Sequence, residues 1–264
     1  MFKCDIDTHI GSRPYNEDRT LRFKVKRQHL QLRLFGVADG HGGDRTVNYI
    51  VMHLRSTLLQ TVGRTLQPLW DAPRATWTHV FAALHTACEG LGDGATLSLV
   101  VALTNTVTKQ TRLWCVNVGD STVYGFYGAK GFRKLSSDHN LKLKQEYERV
   151  TAHRDFYAED LDYTRSHVTG GGLAVTRAIG DHEFQPVVTP RPHVEEVSPQ
   201  LPWHTIVLAS DGLWDYVTAR ALVPQVTTTT AAQLVADKIA QHGHDDNITV
   251  MRIRLPRRAT NPVG

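Results

Sequence analysis

The sequence predicts an α+β protein in which antiparallel β-sheets are covered on the outside by helices. Three observations carry that prediction. There are seven strand-like runs, too many for a helical bundle, and three amphipathic helical stretches. Several strands also precede and follow a pair of adjacent helices, whereas a doubly wound parallel sheet alternates one strand with one helix. The 264 residues are 41% hydrophobic and 21% charged, which supplies a full core and excludes disordered or collagen-like chains.

The first strand, Leu21 to Lys26, sets Leu21, Phe23 and Val25 against Arg22, Lys24 and Lys26, with Arg19 and Arg27 beside them. This period of two reads as a strand with one solvated basic face; the alternative is a docking face for an acidic partner. A second strand covers Leu30 to Ala38. Val47, Ile50, Val51, Leu54 and Leu58 then recur at helical spacing, as do Trp77, Val80, Phe81, Leu84 and Cys88. Strands rich in Val, Leu, Ile and Thr follow at Thr96 to Leu103, Thr111 to Val118 and Ser121 to Tyr127. A weaker helix is expected over Leu141 to Val150. Five prolines, Pro186, Pro190, Pro192, Pro199 and Pro202, make the next segment an irregular connection crossing between sheets. A strand at Thr205 to Ala209, a helix at Ala231 to Gln241 and a strand at Ile248 to Leu255 complete one domain over residues 1–255, with a frayed tail at 256–264.

Cys4, Cys88 and Cys115 are odd in number and form no C-x-x-C pair, which argues against a disulfide framework and against a thiolate zinc site. The longest apolar run, Leu97 to Leu103, is far short of the roughly 20 residues that span a bilayer. Acids interrupt the first residues, so they do not form a secretory signal. The expectation is an intracellular protein, cytoplasmic or nuclear, with no membrane association. A net charge of +4, spread along the chain, gives little ground for nucleic-acid binding. No apolar stripe beyond core needs is evident, so a monomer is expected.

The chemistry gathers where apolar strands end in acids beside glycine. Leu34 to Val37 leads into Ala38-Asp39-Gly40-His41-Gly42-Gly43, Ile206 to Leu208 leads into Ala209-Ser210-Asp211-Gly212-Leu213-Trp214-Asp215, and Asp245-Asp246-Asn247 precedes Ile248. Glu17-Asp18 and Gly119-Asp120 add further carboxylates. A single Asp-Gly pair is ordinarily a turn. So many acids delivered to one cleft would repel one another unless cations neutralised them, and oxygen-only ligation suits Mg²⁺ or Mn²⁺, not zinc.

Together with Arg13-Pro14-Tyr15-Asn16-Glu17-Asp18, Ser137-Asp138-His139 and Gly172-Leu173-Ala174-Val175-Thr176-Arg177-Ala178-Ile179-Gly180-Asp181, these segments resemble the ordered motif series of the PPM/PP2C family, metal-dependent serine/threonine protein phosphatases. The resemblance runs from Arg13 to Thr249 and implies a four-layer α-β-β-α sandwich, two antiparallel sheets flanked by helices. It implies that Asp39 bridges two Mg²⁺ or Mn²⁺ ions, with Glu17 and the Gly40 carbonyl on one and Asp211 and Asp246 on the other. Asp120 and Asp215, with Asp211, match the positions of a weaker third ion, and Asp18 would orient water. Arg13 would grip phosphate oxygens through its planar fork. The implied reaction is attack on the phosphorus of phosphoserine or phosphothreonine by water activated between the two ions, with no covalent intermediate and with His41 protonating the leaving oxygen. Phosphoprotein substrates are the implied partners.

The chain departs from the family at Ala152 to Tyr163, within the expected flap Thr151 to Val168, which lacks the glycine-rich hydrophobic pattern of many relatives, and mildly at Gly94-Ala95-Thr96-Leu97-Ser98. A cysteine nucleophile is excluded, because the sixth residues after the three cysteines are Ile10, Gly94 and Ser121, none of them arginine. Gly180-Asp181-His182-Glu183 approaches the Gly-Asn-His-Glu signature of unrelated dinuclear phosphoesterases but carries Asp where Asn should coordinate. The remaining alternative is a catalytically silent scaffold that keeps the fold.

Overall fold

The computed structural model describes residues 2–153 and 173–256. Its elements run β1 (Lys3–His9), β2 (Asp18–Arg27), β3 (Leu30–His41), α1 (Arg45–Val62), α2 (Gln67–Asp71), α3 (Pro73–Ala87), β4 (Gly94–Ala95), β5 (Leu97–Asn105), β6 (Thr111–Val118), β7 (Thr122–Tyr127), β8 (Gly131–Lys134) and α4 (Lys144–Thr151). After the undescribed segment come β9 (Ile179–Gly180), β10 (His193–Glu196), β11 (Trp203–Ala209), α5 (Asp211–Trp214), α6 (Ala219–Leu222), α7 (Ala231–His242) and β12 (Ile248–Arg254).

Two antiparallel sheets result, as expected. One has the order β1-β12-β11-β7-β8; the other runs β10-β6-β5-β3, with β2 on the far side of β3 and the short pair β4-β9 continuing from the end of β3. Strand alternation builds the layers. Phe35, Val37, Val100 and Cys115 of the second sheet meet Val123, Ile206, Leu208, Met251 and Ile253 of the first in an inner core. The opposite faces carry the helices. Leu32, Leu34, Leu99 and Val101 pack under Val47, Ile50, Leu54, Trp77 and Phe81 of α1 and α3, while Val207 and Val250 pack under Leu234 and Val235 of α7.

The seven expected strands and the three strong helices are all present, and the weak helix forms as α4. Eight elements go beyond the sequence reading: β1, α2, β4, β8, β9, β10, α5 and α6. The proline-rich connection does cross from one sheet to the other, but it pauses on the way to add β10 to the free edge of β6. The expected flap, from residue 154 onward, and the expected tail, from residue 257, lie outside the described residues.

Candidate active site

Glu17, Asp18, Asp39, Asp120, Asp211 and Asp246 sit where strands begin or end, and the sandwich brings those ends together; Asp215 instead follows α5. Asp18 opens β2 and stands directly opposite Asp39 near the end of β3. Two carboxylates in register on neighbouring strands repel, so the pairing itself calls for a counter-charge. Glu17 precedes β2, and its carbonyl accepts the Gly40 N–H at 3.2 Å. Asp120 lies in the β6–β7 turn, Asp211 begins α5 just after β11, and Asp246 precedes β12.

Two loops are tied by Asn247. Its side-chain amide donates to the carbonyls of Ile10 (2.7 Å) and Tyr15 (3.2 Å), and its Oδ1 accepts the Glu17 N–H at 2.8 Å. The segment carrying Arg13 and Glu17 is thereby fixed against the one carrying Asp246. Backbones approach so closely here that glycine is required: a Cβ at Gly11 (φ +68°) would collide with the Asp246 carbonyl, and one at Gly212 with that of Asn247.

A cleft of about 290 Å³ is lined by Arg13, Glu17, Asp39, Gly40, His41, Asp120, Asp211 and Asp246. Eight of the ten residues picked out in the sequence therefore share one cavity. Asp18 is buried behind it, and the exposed Asp215 lines a neighbouring groove of about 780 Å³ that shares Asp120, Ala174 and Asp211 with the cleft. Arg13 reaches Asp246, Nη2 to Oδ2 at 2.9 Å, with half of its side chain exposed.

The electrostatics are those of an uncompensated acid cluster. Burial, then the charges of Asp18, Asp211, Asp120 and Asp246, hold Asp39 well above the usual carboxylate range. Burial and neighbouring acids push Asp211 up to about 7. Asp18 is raised to about 6 by burial, against the hydrogen bond from Ser210. Asp120 also rises to about 6, from burial and the nearby Asp138. Glu17 and Asp215 move in the same direction, with burial the largest cause in each. Among the described residues, no three acids, imidazoles or thiols already converge around one point. What they share is one cleft and strong mutual repulsion. The residues fit divalent cations on two grounds: the donor set is all oxygen, and Asp18 leaves its buried Oδ1 without any hydrogen-bond partner while Oδ2 accepts from Ser210 at 2.8 Å.

His41 has a partner that sequence reasoning missed. Its Nε2 lies 2.8 Å from Oδ2 of the buried Asp181, 140 positions away in the chain. Burial pulls the imidazole down, but the hydrogen bond and charge of Asp181 more than offset it, and the net shift is upward. Asp181 is itself held by its backbone, which donates to the Asp93 carbonyl at 3.2 Å. The Asp93 carboxylate in turn accepts the N–H groups of Arg45 (2.7 Å) and Thr46 (3.1 Å), supplying the cap that Asp44 does not give α1. Asp181 was visible as the last residue of its motif; its role depends on a distance that no sequence spacing reveals.

Comparison with known proteins gives this two-sheet fold and its acid-lined cleft a family. The protein phosphatase 2C family model matches residues 7–249, so the chain belongs to that family. It is 31% identical over 230 residues to an Arabidopsis thaliana protein named Probable protein phosphatase 2C 69, a match covering 84% of this chain and 61% of that one. It is 30% identical over 242 residues to the Oryza sativa subsp. japonica protein named Probable protein phosphatase 2C 59, covering 86% of this chain and 70% of the relative. Against a second Arabidopsis relative, number 71, it spans 51% of the length. The chain thus spans between half and two thirds of both Arabidopsis relatives. Two solved structures share the fold: a Caenorhabditis elegans sex-determining protein (TM-score 0.76, 22% identity, 97% of this chain and 65% of that one) and a serine-threonine phosphatase 2C of Toxoplasma gondii (TM-score 0.65, 21% identity, 97% and 95%). No helix among the described residues is long and apolar enough to cross a membrane.

Proposed function

We propose that the cleft hydrolyses phosphoserine and phosphothreonine in phosphoproteins and depends on Mg²⁺ or Mn²⁺. The observation that carries this reading is the cluster of Asp39, Asp211 and Asp120 in one cavity lined also by His41 and Arg13, with the buried Asp18 behind it and all four pKa values raised. Glu17, Asp39 and the Gly40 carbonyl would hold one ion and Asp39, Asp211 and Asp246 a second; Asp120 and Asp215, with Asp211, would hold a weaker third. When bound, divalent ions acidify water for in-line attack on phosphorus and offset charge on the phosphoryl oxygens.

The chain's own residues do the rest. His41 gives its proton to the departing serine or threonine oxygen. Asp181 engages Nε2, and Nδ1 makes no hydrogen bond among the described residues, so Nδ1 is the nitrogen left to face that oxygen. Asp181 favours the protonated ring and fixes its plane. Asp18, behind the cleft, would orient water through its buried, unpartnered Oδ1. Arg13, already at the mouth beside Asp246, presents further guanidinium N–H groups to the phosphate.

The test is phosphate release from a phosphothreonine peptide by purified protein with Mn²⁺, with Mg²⁺ and with excess chelator, beside Asp211→Asn. Turnover that needs metal and vanishes in the variant supports the reading. Absence of turnover across several peptides, with ion binding confirmed by calorimetry, replaces it with a silent scaffold.

A further inference from the structure

The basic strand noted in the sequence takes no part in the cleft, and its structure gives it a different use. β2 pairs with β3 along one side only; among the described residues nothing pairs with its other side. Leu21, Phe23 and Val25 turn inward against the helix-covered core, leaving Arg22, Lys24 and Lys26 exposed on alternate positions. Lys24 stands opposite Arg33 of β3, a like-charge pair in register that weakens the sheet unless something neutralises it.

Among the described residues no carboxylate does so, and Arg22, Lys24, Lys26 and Arg33 enter no ion pair, although cations on other strands do: Arg112 with Glu196, Arg133 with Glu195, Arg252 with Asp5. Asp5 of the facing edge strand β1 is turned away, to Arg252 and the N-terminus of α7. Arg33 instead lies over the Phe2 ring, 5.6 Å from its centroid.

The strip also points at the cleft. β2 starts at Asp18, beside Asp39, and its even-numbered residues share one face. At about 3.3 Å per residue, Arg22 lies roughly 13 Å and Lys26 roughly 26 Å along the strand from Asp18. We infer that this edge docks an extended, acidic segment of the phosphoprotein substrate, with Asp or Glu at alternate positions several residues from the phosphorylated one. The inference rests on the proposed function for its substrate, and charge complementarity selects the partner.

Two peptides with the same phosphothreonine core test it, one carrying a Glu-Ser-Glu-Ser-Glu tract after a short linker and the other Gln-Ser-Gln-Ser-Gln. The wild-type chain with Mn²⁺ should show a KM on the order of tenfold lower for the acidic peptide at low salt, with kcat unchanged. The triple variant R22S/K24S/K26S should lose that preference while hydrolysing p-nitrophenyl phosphate as before, which also shows that it folds. Equal KM values in the wild type, or a preference that survives the triple change, overturn the inference and leave the lysines as guards against edge-to-edge aggregation. Anisotropy of a fluorescent, unphosphorylated Glu-Ser-Glu-Ser-Glu peptide reads docking without turnover, so an inactive cleft and an absent docking strip give different results. Equally tight binding of an oligothymidylate, lost in the same variant, would assign the strip to nucleic acid and overturn the peptide reading.

Discussion

Two groups of carboxylates drawn wholly or partly out of water behave in opposite ways in this molecule. Glu146 of α4 is almost fully buried, yet its pKa falls to about 2, because Arg177, Arg149 and Thr176 all donate to it and outweigh the cost of burial. Asp18 is buried and Asp39, Asp211 and Asp120 are half-buried at the cleft, and their pKa values rise. The first group is complete as folded and serves to pin α4 to the Thr176–Arg177 segment that runs back toward the cleft. The second is complete only when positive charge arrives from outside. Burial alone does not mark an active site; burial without compensation does.

The largest expected effect comes from breaking the uncompensated cluster. Asp39→Asn should lower metal-dependent turnover on the order of a thousandfold, judged by kcat/KM on a phosphothreonine peptide. The same change should raise the thermal midpoint of the metal-free protein, because it removes one of the repelling charges. A variant that is inactive and also less stable would place Asp39 in a structural role like that of Glu146.

Breaking the compensated group should do the reverse. Glu146→Gln removes the charge shared by Arg149 and Arg177 and should cost about 3 kcal/mol in urea unfolding near neutral pH. Its sign with pH is fixed. The folded pKa of about 2 lies below the reference 4.5, so the contribution is full above about 4.5 and is lost as pH falls toward 2. The gap between wild type and variant should therefore close in acid. Metal addition should leave it unchanged.

The His41–Asp181 pair lies between these extremes, because its charge is compensated and yet it faces the cleft. Asp181→Asn should slow hydrolysis of a phosphothreonine peptide by about 10²-fold while leaving p-nitrophenyl phosphate nearly untouched. An alkoxide needs a proton to leave and nitrophenolate does not. Equal loss on both substrates would make Asp181 a support for the β4–β9 corner and nothing more.

The sequence made the acid cluster legible because strand-end Asp-Gly pairs are local features, readable within ten residues. It made the layers legible because β5 and β6 are nearly continuous apolar runs and α1 and α3 keep helical spacing. What it hid depends on distant partners. β1 does not read as a strand because Asp5 and Asp7 break its apolar character, yet Asp5 is satisfied by Arg252 and the Ala231 N–H, both more than 220 residues on. β8 and β10 are four residues each and exist because an edge was available to them. Asn247 looked like the tail of an acidic motif, whereas its three hydrogen bonds hold the Arg13 loop in place.

The smallest effect is also the one that separates the two groups most cleanly. Asp18 and Asp120 near 6 and Asp211 near 7 have folded pKa values above the reference 3.8, so the folded state binds more protons than the unfolded state between those limits. Stability of the metal-free protein must then fall as pH rises from about 4 to about 7, while the Glu146 contribution, complete above about 4.5, stays flat over most of the same interval. Differential scanning calorimetry in chelator should show the midpoint dropping by several degrees from pH 5 to pH 8. Saturating Mn²⁺ should abolish the drop, since cations that bind only the folded state take over the role of the protons. A flat profile without metal would mean that water already compensates the cluster, and the distinction between the two groups of carboxylates would disappear.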